Sequence, residues 1–244
     1  MRLDKYLADC GAGSRSEIKK MIRSGLVSVA DVPKPRPETQ VDPETATVLL
    51  NGTRLQYRAF IYLLLNKPQG YVSATWDARF PTVLDLVPEE YLHFEPFPVG
   101  RLDIDTEGFC LLTNDGQLAH RLLSPKSHVP KTYEATISGV VTDDDILAFQ
   151  KGVVLDDGYQ TKPAELTILT SGEVSQIRLT IYEGKFHQVK RMFESVGKKV
   201  TYLKRVAMNH LTLDEALALG DIRELLPEEL KLLESEEQTY DLQD

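Results

Sequence analysis

The stretch YEATI at residues 133–137 alternates strictly between apolar and polar side chains, and IRLTI at residues 177–181 does the same. Successive side chains of a strand point to opposite faces, so this alternation predicts strands with one buried face. Strands of a parallel sheet covered on both faces are apolar throughout instead. We therefore expect an α+β protein whose mixed, mainly antiparallel sheet is flanked by helices, rather than a doubly wound parallel sheet.

Strand and helix signals continue on both sides of these two stretches. Apolar runs predict strands at residues 61–65 and 109–113, followed by turns at 66–70 and 114–116. Residues 117–123 read as a helix. A second helix is predicted by one apolar face that ends at a glycine, formed by Val189, Met192, Phe193, Val196 and Gly197.

The front of the chain predicts a small separate domain. Leu3, Leu7 and Cys10 recur at helical spacing, and Gly11 to Gly13 breaks that helix. Residues 14–17 (SRSE) fit a capping box for a second helix. Prolines mark a loop at 33–37, and a short strand follows at 48–50. We place this domain at residues 1–58, a larger domain at 60–233 and an acidic tail at 234–244.

Composition excludes several classes of protein. The amino terminus has no apolar signal-peptide core, and the longest apolar run, residues 60–65, is too short to cross a bilayer. The two cysteines belong to no CxxC pair, which is typical of a reduced, cytoplasmic protein. The five histidines show no HxxxH spacing, so no metal site is expected. Nothing in the sequence requires more than a monomer.

The net charge of −9 is unevenly distributed. Residues 1–59 carry ten Lys/Arg against seven Asp/Glu, whereas residues 228–244 carry one against seven. Screening confines electrostatic attraction to short range, so local clusters rather than the whole charge govern contacts with phosphates. The basic front segment is therefore the candidate nucleic-acid surface.

Basic residues follow one side of the helix predicted to begin at residues 14–17, opposite its apolar face. By composition alone, a solvated helix face is the favoured explanation of them. MRLDKYLA at residues 1–8 and SRSEIKKMIRSGLVSV at 14–29 are, however, similar to the small RNA-binding module called the S-four domain. That resemblance implies that the front domain grips structured RNA through Arg2, Lys5, Arg15, Lys19, Lys20 and Arg23.

Three segments of the larger domain carry chemistry. GRLDIDTEG at residues 100–108 places Asp103 in a glycine-bounded loop, where it could be a nucleophile, a base, a metal ligand or a cap. That Asp103 and Asp105 form a glycosidase pair is a weak hypothesis, because their spacing in the sequence does not determine the distance between the two carboxyl groups. KTY at 131–133 and the cation-rich EGKFHQVKRMF at 183–193 complete the set. The structural alternatives are a tyrosine that fills the core for Tyr133 and a solvated helix face for Lys190 and Arg191.

The three segments in this order, behind an S-four-like module, resemble the RsuA family of pseudouridine synthases. LNKPQGYVSA at residues 65–74 and LTNDGQLAHRLLSP at 112–125 belong to the same resemblance, which extends from Met1 to about Leu233. The motif with Lys190 points to the branch that modifies small-subunit (16S) ribosomal RNA. The substrate would be that RNA or an assembly intermediate that contains it.

The resemblance implies an enzyme that isomerises a uridine to pseudouridine without a cofactor. Asp103 would begin the reaction, either by attacking C1′ or by deprotonating C2′, and Lys190 would keep it ionised. Tyr133 would stack on the base and Arg101 would fill the vacated position in the RNA. Four further residues are candidates for phosphate contacts: Lys67, Lys131, Lys185 and Arg191.

Two other classes of function are considered. A non-catalytic RNA-binding or ribosome-assembly protein would use the front module alone, but the presence of Asp103, Tyr133 and Lys190 argues against it. An S-four-containing tRNA synthetase is excluded because the chain has no HIGH or KMSKS signature.

Overall fold

The computed structural model describes residues 1–235. Within them the chain forms two compact units. The first comprises Met1–Ile61 and Val87–Pro96, and the second comprises Tyr62–Leu86 and the described residues from Phe97 onward. Residues 87–96 were expected in the larger domain. They pack with the first unit instead, an arrangement that a single boundary along the chain cannot describe.

The first unit has three helices and a three-stranded antiparallel sheet in the order β1-β2-β3. The elements are α1 (Leu3–Asp9), α2 (Arg15–Arg23), β1 (Val27–Val29), β2 (Val48–Leu50), β3 (Thr53–Leu55) and α3 (Glu89–Leu92). The predicted capping box is present, because Ser14 N donates to Glu17 Oε2 at 2.8 Å and Glu17 N donates to Ser14 Oγ at 3.4 Å. Leu3, Leu7, Ile18 and other apolar residues of this unit form its own core.

The second unit contains the remaining elements. Its strands are β4 (Tyr62–Lys67), β5 (Phe97–Pro98), β6 (Glu107–Thr113), β7 (Lys131–Ser138), β8 (Glu165–Thr170), β9 (Val174–Ile181), β10 (Lys199–Met208), β11 (Leu211–Thr212) and β12 (Ile222–Glu224). Its helices are α4 (Gly116–Leu123), α5 (Asp143–Lys151), α6 (Gln188–Ser195) and α7 (Pro227–Glu234), with one 3-10 turn at Val83–Leu86.

The strands of the second unit pair in one mixed sheet. Within residues 1–235 the order is β12-β4-β6-β10-β7-β9-β8, with β5 added on β6 and β11 on β10. The strand pairs of this described region are antiparallel except for β6 with β10, which run parallel. The predicted fold class is therefore confirmed, and the parallel pair brings two segments distant in sequence to the centre of the sheet.

Alternation in the sequence corresponds to alternation in burial. Tyr133, Ala135 and Ile137 are buried on β7, and Ile177, Leu179 and Ile181 are buried on β9. The turn before α4 also forms as predicted, with Asp115 accepting hydrogen bonds from the backbone N–H groups of Gln117 and Leu118 at 2.9 and 3.0 Å. These caps and patterns are local, which is why the sequence shows them.

Two predicted boundaries differ from the structure. Asn66 and Lys67 were expected in a turn but lie within β4, because they continue the antiparallel pairing with Phe109 and Gly108 of β6. Helix α7 extends to Glu234, the first residue of the predicted acidic tail, and residues 236–244 of that tail lie outside the described residues. Over residues 1–235, no helix combines the length and the apolar character that crossing a membrane requires.

Candidate active site

A cavity of about 520 Å³ opens in the second unit, on one face of the central strands. All three segments singled out in the sequence contribute to its walls. Asp103 belongs to the first, Tyr133 to the second and His187 to the third, and all three residues line the cavity. Segments more than 80 residues apart are thus assembled around a space of the size that small ligands occupy.

The Asp103 loop is held by donors from the last residue of β4 and from the segment that follows this strand. The Lys67 ammonium is fully buried and donates to the carbonyl oxygens of Asp103 at 3.1 Å and Thr106 at 2.8 Å. Ser73 Oγ donates to Leu102 O at 3.2 Å and accepts from Leu102 N at 3.0 Å. These bonds position the backbone on both sides of the Asp103 side chain.

Lys190 bridges two carboxylates of this loop. Its ammonium lies 3.0 Å from Asp103 Oδ2 and 2.6 Å from Asp105 Oδ1. Burial opposes the charge of Lys190, but the hydrogen bonds to Asp105 and Asp103 outweigh it and raise its pKa. For Asp105, burial is likewise outweighed by Lys190, which lowers the pKa of that carboxyl. The pairing of Lys190 with Asp103 expected from the resemblance is therefore present.

A tight turn presents Lys190 to the loop. His187 precedes α6 with φ +49°, a left-handed conformation that non-glycine residues adopt infrequently. Gln188 stabilises this turn by accepting from Lys185 N at 2.8 Å and donating to Glu183 Oε1 at 3.0 Å. His187 Nε2 thereby comes within 3.6 Å of Asp103 Oδ1. Lys190 follows in the first turn of α6.

Tyr133 lies on the floor of the cavity. Its side chain is mostly buried, and its neighbour across the β7–β10 pairing is Arg205. On the other side of β10, Arg205 faces Gly108 of β6. A side chain at Gly108 would bring its Cβ within 2.2 Å of the Arg205 carbonyl oxygen, and φ there is +100°. Glycine at position 108 is thus required where the Asp103 loop enters the sheet.

Two of the expected phosphate-contacting lysines are buried. Lys67 is 0% exposed, and burial lowers its pKa to about 8. The predicted phosphate contact of Lys67 is wrong, because its ammonium is enclosed by backbone carbonyls and no surface is left for a phosphate. Lys131 is 8% exposed and lines the cavity, where its ammonium donates to Val129 O at 2.9 Å. Lys131 therefore faces the pocket rather than an outer RNA surface.

The other predicted residues of this unit surround the opening. Arg101 is exposed and lines the cavity. The Lys185 ammonium also lines it and lies 4.3 Å from the centre of the Tyr159 ring. Arg191 forms ion pairs with Asp156 and Asp157, so a phosphate would have to replace those acids.

The six predicted RNA contacts of the front module all lie in the first unit. Arg15, Lys19, Lys20 and Arg23 are exposed on α2. Arg2 and Lys5 form exposed ion pairs with Asp4 and Asp9, each at 2.8 Å. Three of the six also line one cleft together with Arg36, which the sequence analysis did not select; these are Arg2, Lys19 and Arg23.

Sequence reasoning missed several residues that line the cavity. His187 stands inside a quoted motif and could have been selected from it. Arg205 could not, because no local pattern distinguishes a strand arginine that faces a pocket from one that faces solvent. The hydrogen bonds of Glu183 with Tyr159 Oη at 2.6 Å and Lys162 N at 2.9 Å likewise depend on tertiary folding.

Comparisons with known proteins agree with this site. Residues 61–195 match the family model described as RNA pseudouridylate synthase, and residues 1–46 match that of the S4 (S-four) domain. The chain belongs to the RNA pseudouridylate synthase family, and within it to the RsuA type. It is accordingly an RNA pseudouridine synthase, an isomerase.

Individual relatives cover nearly the whole chain. An uncharacterised RNA pseudouridine synthase of Bacillus subtilis, YtzG, is 54% identical over 96% of this chain and 98% of its own. Ribosomal small subunit pseudouridine synthase A of Escherichia coli is 42% identical over 94% and 98%. A crystal structure of a pseudouridylate synthase, 36% identical, superposes with a TM-score of 0.67 and covers 96% of this chain and 99% of that one.

Proposed function

We propose that this enzyme isomerises a uridine of small-subunit (16S) ribosomal RNA, and that Asp103 begins the reaction without a cofactor. The choice of RNA is supported by the relatives named ribosomal small subunit pseudouridine synthase A, at 42–43% identity over 94% of this chain. The choice of residue rests on one observation: Asp103 lines the 520 Å³ cavity and is paired with Lys190 at 3.0 Å.

The reaction conserves every atom of the nucleotide. The N1–C1′ bond breaks and the uracil turns while it is held. C5 then bonds to C1′, the C5 proton is removed, and N1 takes up a proton in its place. No oxidation occurs and no group is donated, so a positioned carboxylate is enough to begin. The Lys190 ammonium, 3.0 Å from Asp103 Oδ2, holds that carboxylate at the wall of the cavity.

The target uridine must leave its stack to reach Asp103. Extruding a base costs a few kcal/mol, and stacking on an aromatic ring returns about 1–3 kcal/mol. Tyr133 on the cavity floor is the proposed stacking partner. Arg101, exposed at the same cavity, is proposed to occupy the position in the RNA that the base vacates.

The remaining affinity is assigned to cations that contact phosphates. In the first unit these are Arg2, Lys5, Arg15, Lys19, Lys20 and Arg23, to which the cleft with Arg36 adds a seventh. In the second unit, Lys185 and Arg191 are the candidates. Such contacts are independent of sequence and weaken as salt is added.

The test is a map of pseudouridines in the RNA of cells with and without the gene. We expect one small-subunit uridine to remain unmodified without it, and the wild-type gene but not Asp103→Asn to restore the modification. A change confined to another RNA would overturn the choice of target. Full modification by Asp103→Asn would overturn the role of Asp103. An assembly defect rescued by Asp103→Asn would favour the non-catalytic alternative.

A further inference from the structure

Two cations of the cavity are buried without an acidic partner. Lys131 is 8% exposed and Arg205 is 2% exposed, and both line the cavity. Among the ion pairs of residues 1–235, none joins either side chain to a carboxylate. Buried charges are ordinarily paired, because removing them from water is costly. Two unpaired ones in a pocket therefore point to a ligand.

Both cations stand beside Tyr133 on the face that forms the pocket floor. Lys131 and Tyr133 are two residues apart on β7, so their side chains leave the same face of the strand. Arg205 is the residue opposite Tyr133 on β10. A base stacked on Tyr133 would consequently lie next to both cations.

Hydrogen-bonding capacity at this floor is incompletely used. Arg205 Nε donates to Phe109 O at 2.8 Å, but its Nη2 is buried and has no partner within the described residues. Thr106 Oγ1, which also borders the cavity, is buried and has no partner in this part of the chain either. Lys131 makes one bond, to Val129 O, and an ammonium has three hydrogens to donate. The free donors favour a ligand rich in acceptors.

The acids that line the same cavity are engaged elsewhere. Asp103 is paired with Lys190. Glu183 accepts from Tyr159 Oη, Lys162 N and Gln188 Nε2 at 2.6–3.0 Å. The negative charge that complements Lys131 and Arg205 must therefore come from the substrate.

The substrate offers two sources of negative charge, its phosphates and its base. The RNA chain continues on both sides of the extruded nucleotide, so its phosphates stay near the cavity opening while the base enters deepest. When N1–C1′ breaks, the bonding electron pair remains on the uracil, whose negative charge spreads over N1, O2 and O4. Both first steps available to Asp103 release this same anion.

We propose that Lys131 and Arg205 hold the uracil carbonyl oxygens and stabilise the uracil anion between its release from C1′ and its reattachment through C5. The proposal rests on the pseudouridine synthase activity and not on which RNA is modified. Fixed donors aimed at a developing negative charge in a closed site are a strong source of rate enhancement. The cation pair would also keep the detached base from diffusing away.

The ionisation of Lys131 is consistent with this role. Burial and the nearby Arg205 charge lower the pKa of Lys131 to about 8. A bound anion offsets both effects, so Lys131 is favoured in its charged ammonium form when the uracil becomes negative.

The test compares leaving groups. The RNA segment around the mapped site is transcribed with uridine or with 5-fluorouridine, whose base is more acidic and leaves more readily as an anion. Single-turnover loss of the starting nucleotide, which reports cleavage of N1–C1′, is measured for the wild type and for Lys131→Gln and Arg205→Gln. Product formation is not compared, because the fluorinated base has no C5 hydrogen to release and cannot complete the isomerisation. On the uridine transcript we expect the single-turnover rate of each variant to fall about 100-fold below that of the wild type. On the 5-fluorouridine transcript we expect it to fall only about tenfold, and RNA affinity should be nearly unchanged on both.

Lys162→Gln is the matched control, because Lys162 also lines the cavity but donates to Pro125 O at 3.1 Å and is not buried. It should affect both transcripts equally. Arg205→Lys, which keeps the charge, tests the arginine site should Arg205→Gln fail to fold. Equal losses on the two transcripts, unchanged rates, or a loss of affinity alone would overturn the proposal. The transcript contains whichever uridine the cellular map of pseudouridines identifies. An error in the choice of ribosomal RNA is therefore detected by that map and not by the rates measured on the transcript.

Discussion

The buried Lys67 ammonium and the Asp103 backbone carbonyl are joined by a hydrogen bond of 3.1 Å. Lys67 also donates to Thr106 O at 2.8 Å and Pro68 O at 3.1 Å, so a single side chain ties the ends of the loop to β4. The position of the Asp103 carboxylate therefore depends on a charge that never reaches the RNA.

Lys67→Met should lower both stability and turnover. It removes a buried charge but leaves several carbonyl oxygens without a donor, so we expect a loss of about 1–3 kcal/mol in unfolding free energy. Displacing the Asp103 loop by 1 Å would cost about 100-fold in rate. Urea unfolding and single-turnover assays measure the two effects. Lys151→Met, at an exposed lysine, should stay within about 0.5 kcal/mol of the wild type; wild-type turnover in Lys67→Met would contradict this role.

Lys190→Met should fold but lose most of its activity. The substitution leaves the carboxylates of Asp103 and Asp105 next to each other without their shared cation. We expect kcat to fall by about 100-fold or more, as for removal of other electrostatic groups. Asp105→Asn is the control, since it leaves the Asp103–Lys190 pair intact and should cost much less. Wild-type kcat in Lys190→Met would rule out the importance of the pair.

Tyr133→Phe separates stacking from proton transfer. The ring that forms the cavity floor is kept, so RNA affinity should stay near that of the wild type. If the hydroxyl helps to remove the C5 proton, turnover falls by about 100-fold, within the usual range for a general base. A substrate deuterated at C5 should then show a larger isotope effect with the variant. An unchanged rate would leave Tyr133 with stacking alone.

Lys131 makes stability depend on pH in the alkaline range. Its folded-state pKa of about 8 lies below the ordinary 10.5, so between these values the unfolded chain holds the proton and the folded protein does not. Stability contributed by this group therefore rises with pH across that window, by up to about 1.4 kcal/mol per pH unit. Denaturant unfolding at pH 7.5–10 should show a shallower rise for Lys131→Met. If stability rises equally with pH in the wild type and in Lys131→Met, the pKa of Lys131 is not lowered in the folded protein.

The sequence predicted those parts of the fold that are encoded locally. Ser14 and Glu17 form a capping box within four residues, and successive residues from Tyr133 to Ile137 alternate in burial along one strand. Asp103 and Lys190 were selected through motifs and do meet. Each of these signals needs only neighbouring residues or a matched motif.

Lys67 and Arg205 show where such reasoning ends. Lys67 was assigned to the RNA, because a lysine beside turn residues is ordinarily exposed, and only the packing of the Asp103 loop over β4 encloses it. Arg205 was overlooked, since its place beside Tyr133 depends on the pairing of β10 with both β7 and β6. Burial of a charge is decided by tertiary neighbours that local periodicity does not contain.

The parallel pairing of β6 with β10 also governs when the enzyme becomes competent. Arg205 Nε bonds to Phe109 O across 96 residues of sequence, and strand pairings of such long range form late and slowly in folding. The two units have separate apolar cores, and that of the first draws on residues near in sequence. We therefore expect the apolar core of residues 1–57 to form first, and the cavity around Asp103 only after β10 has paired with β6.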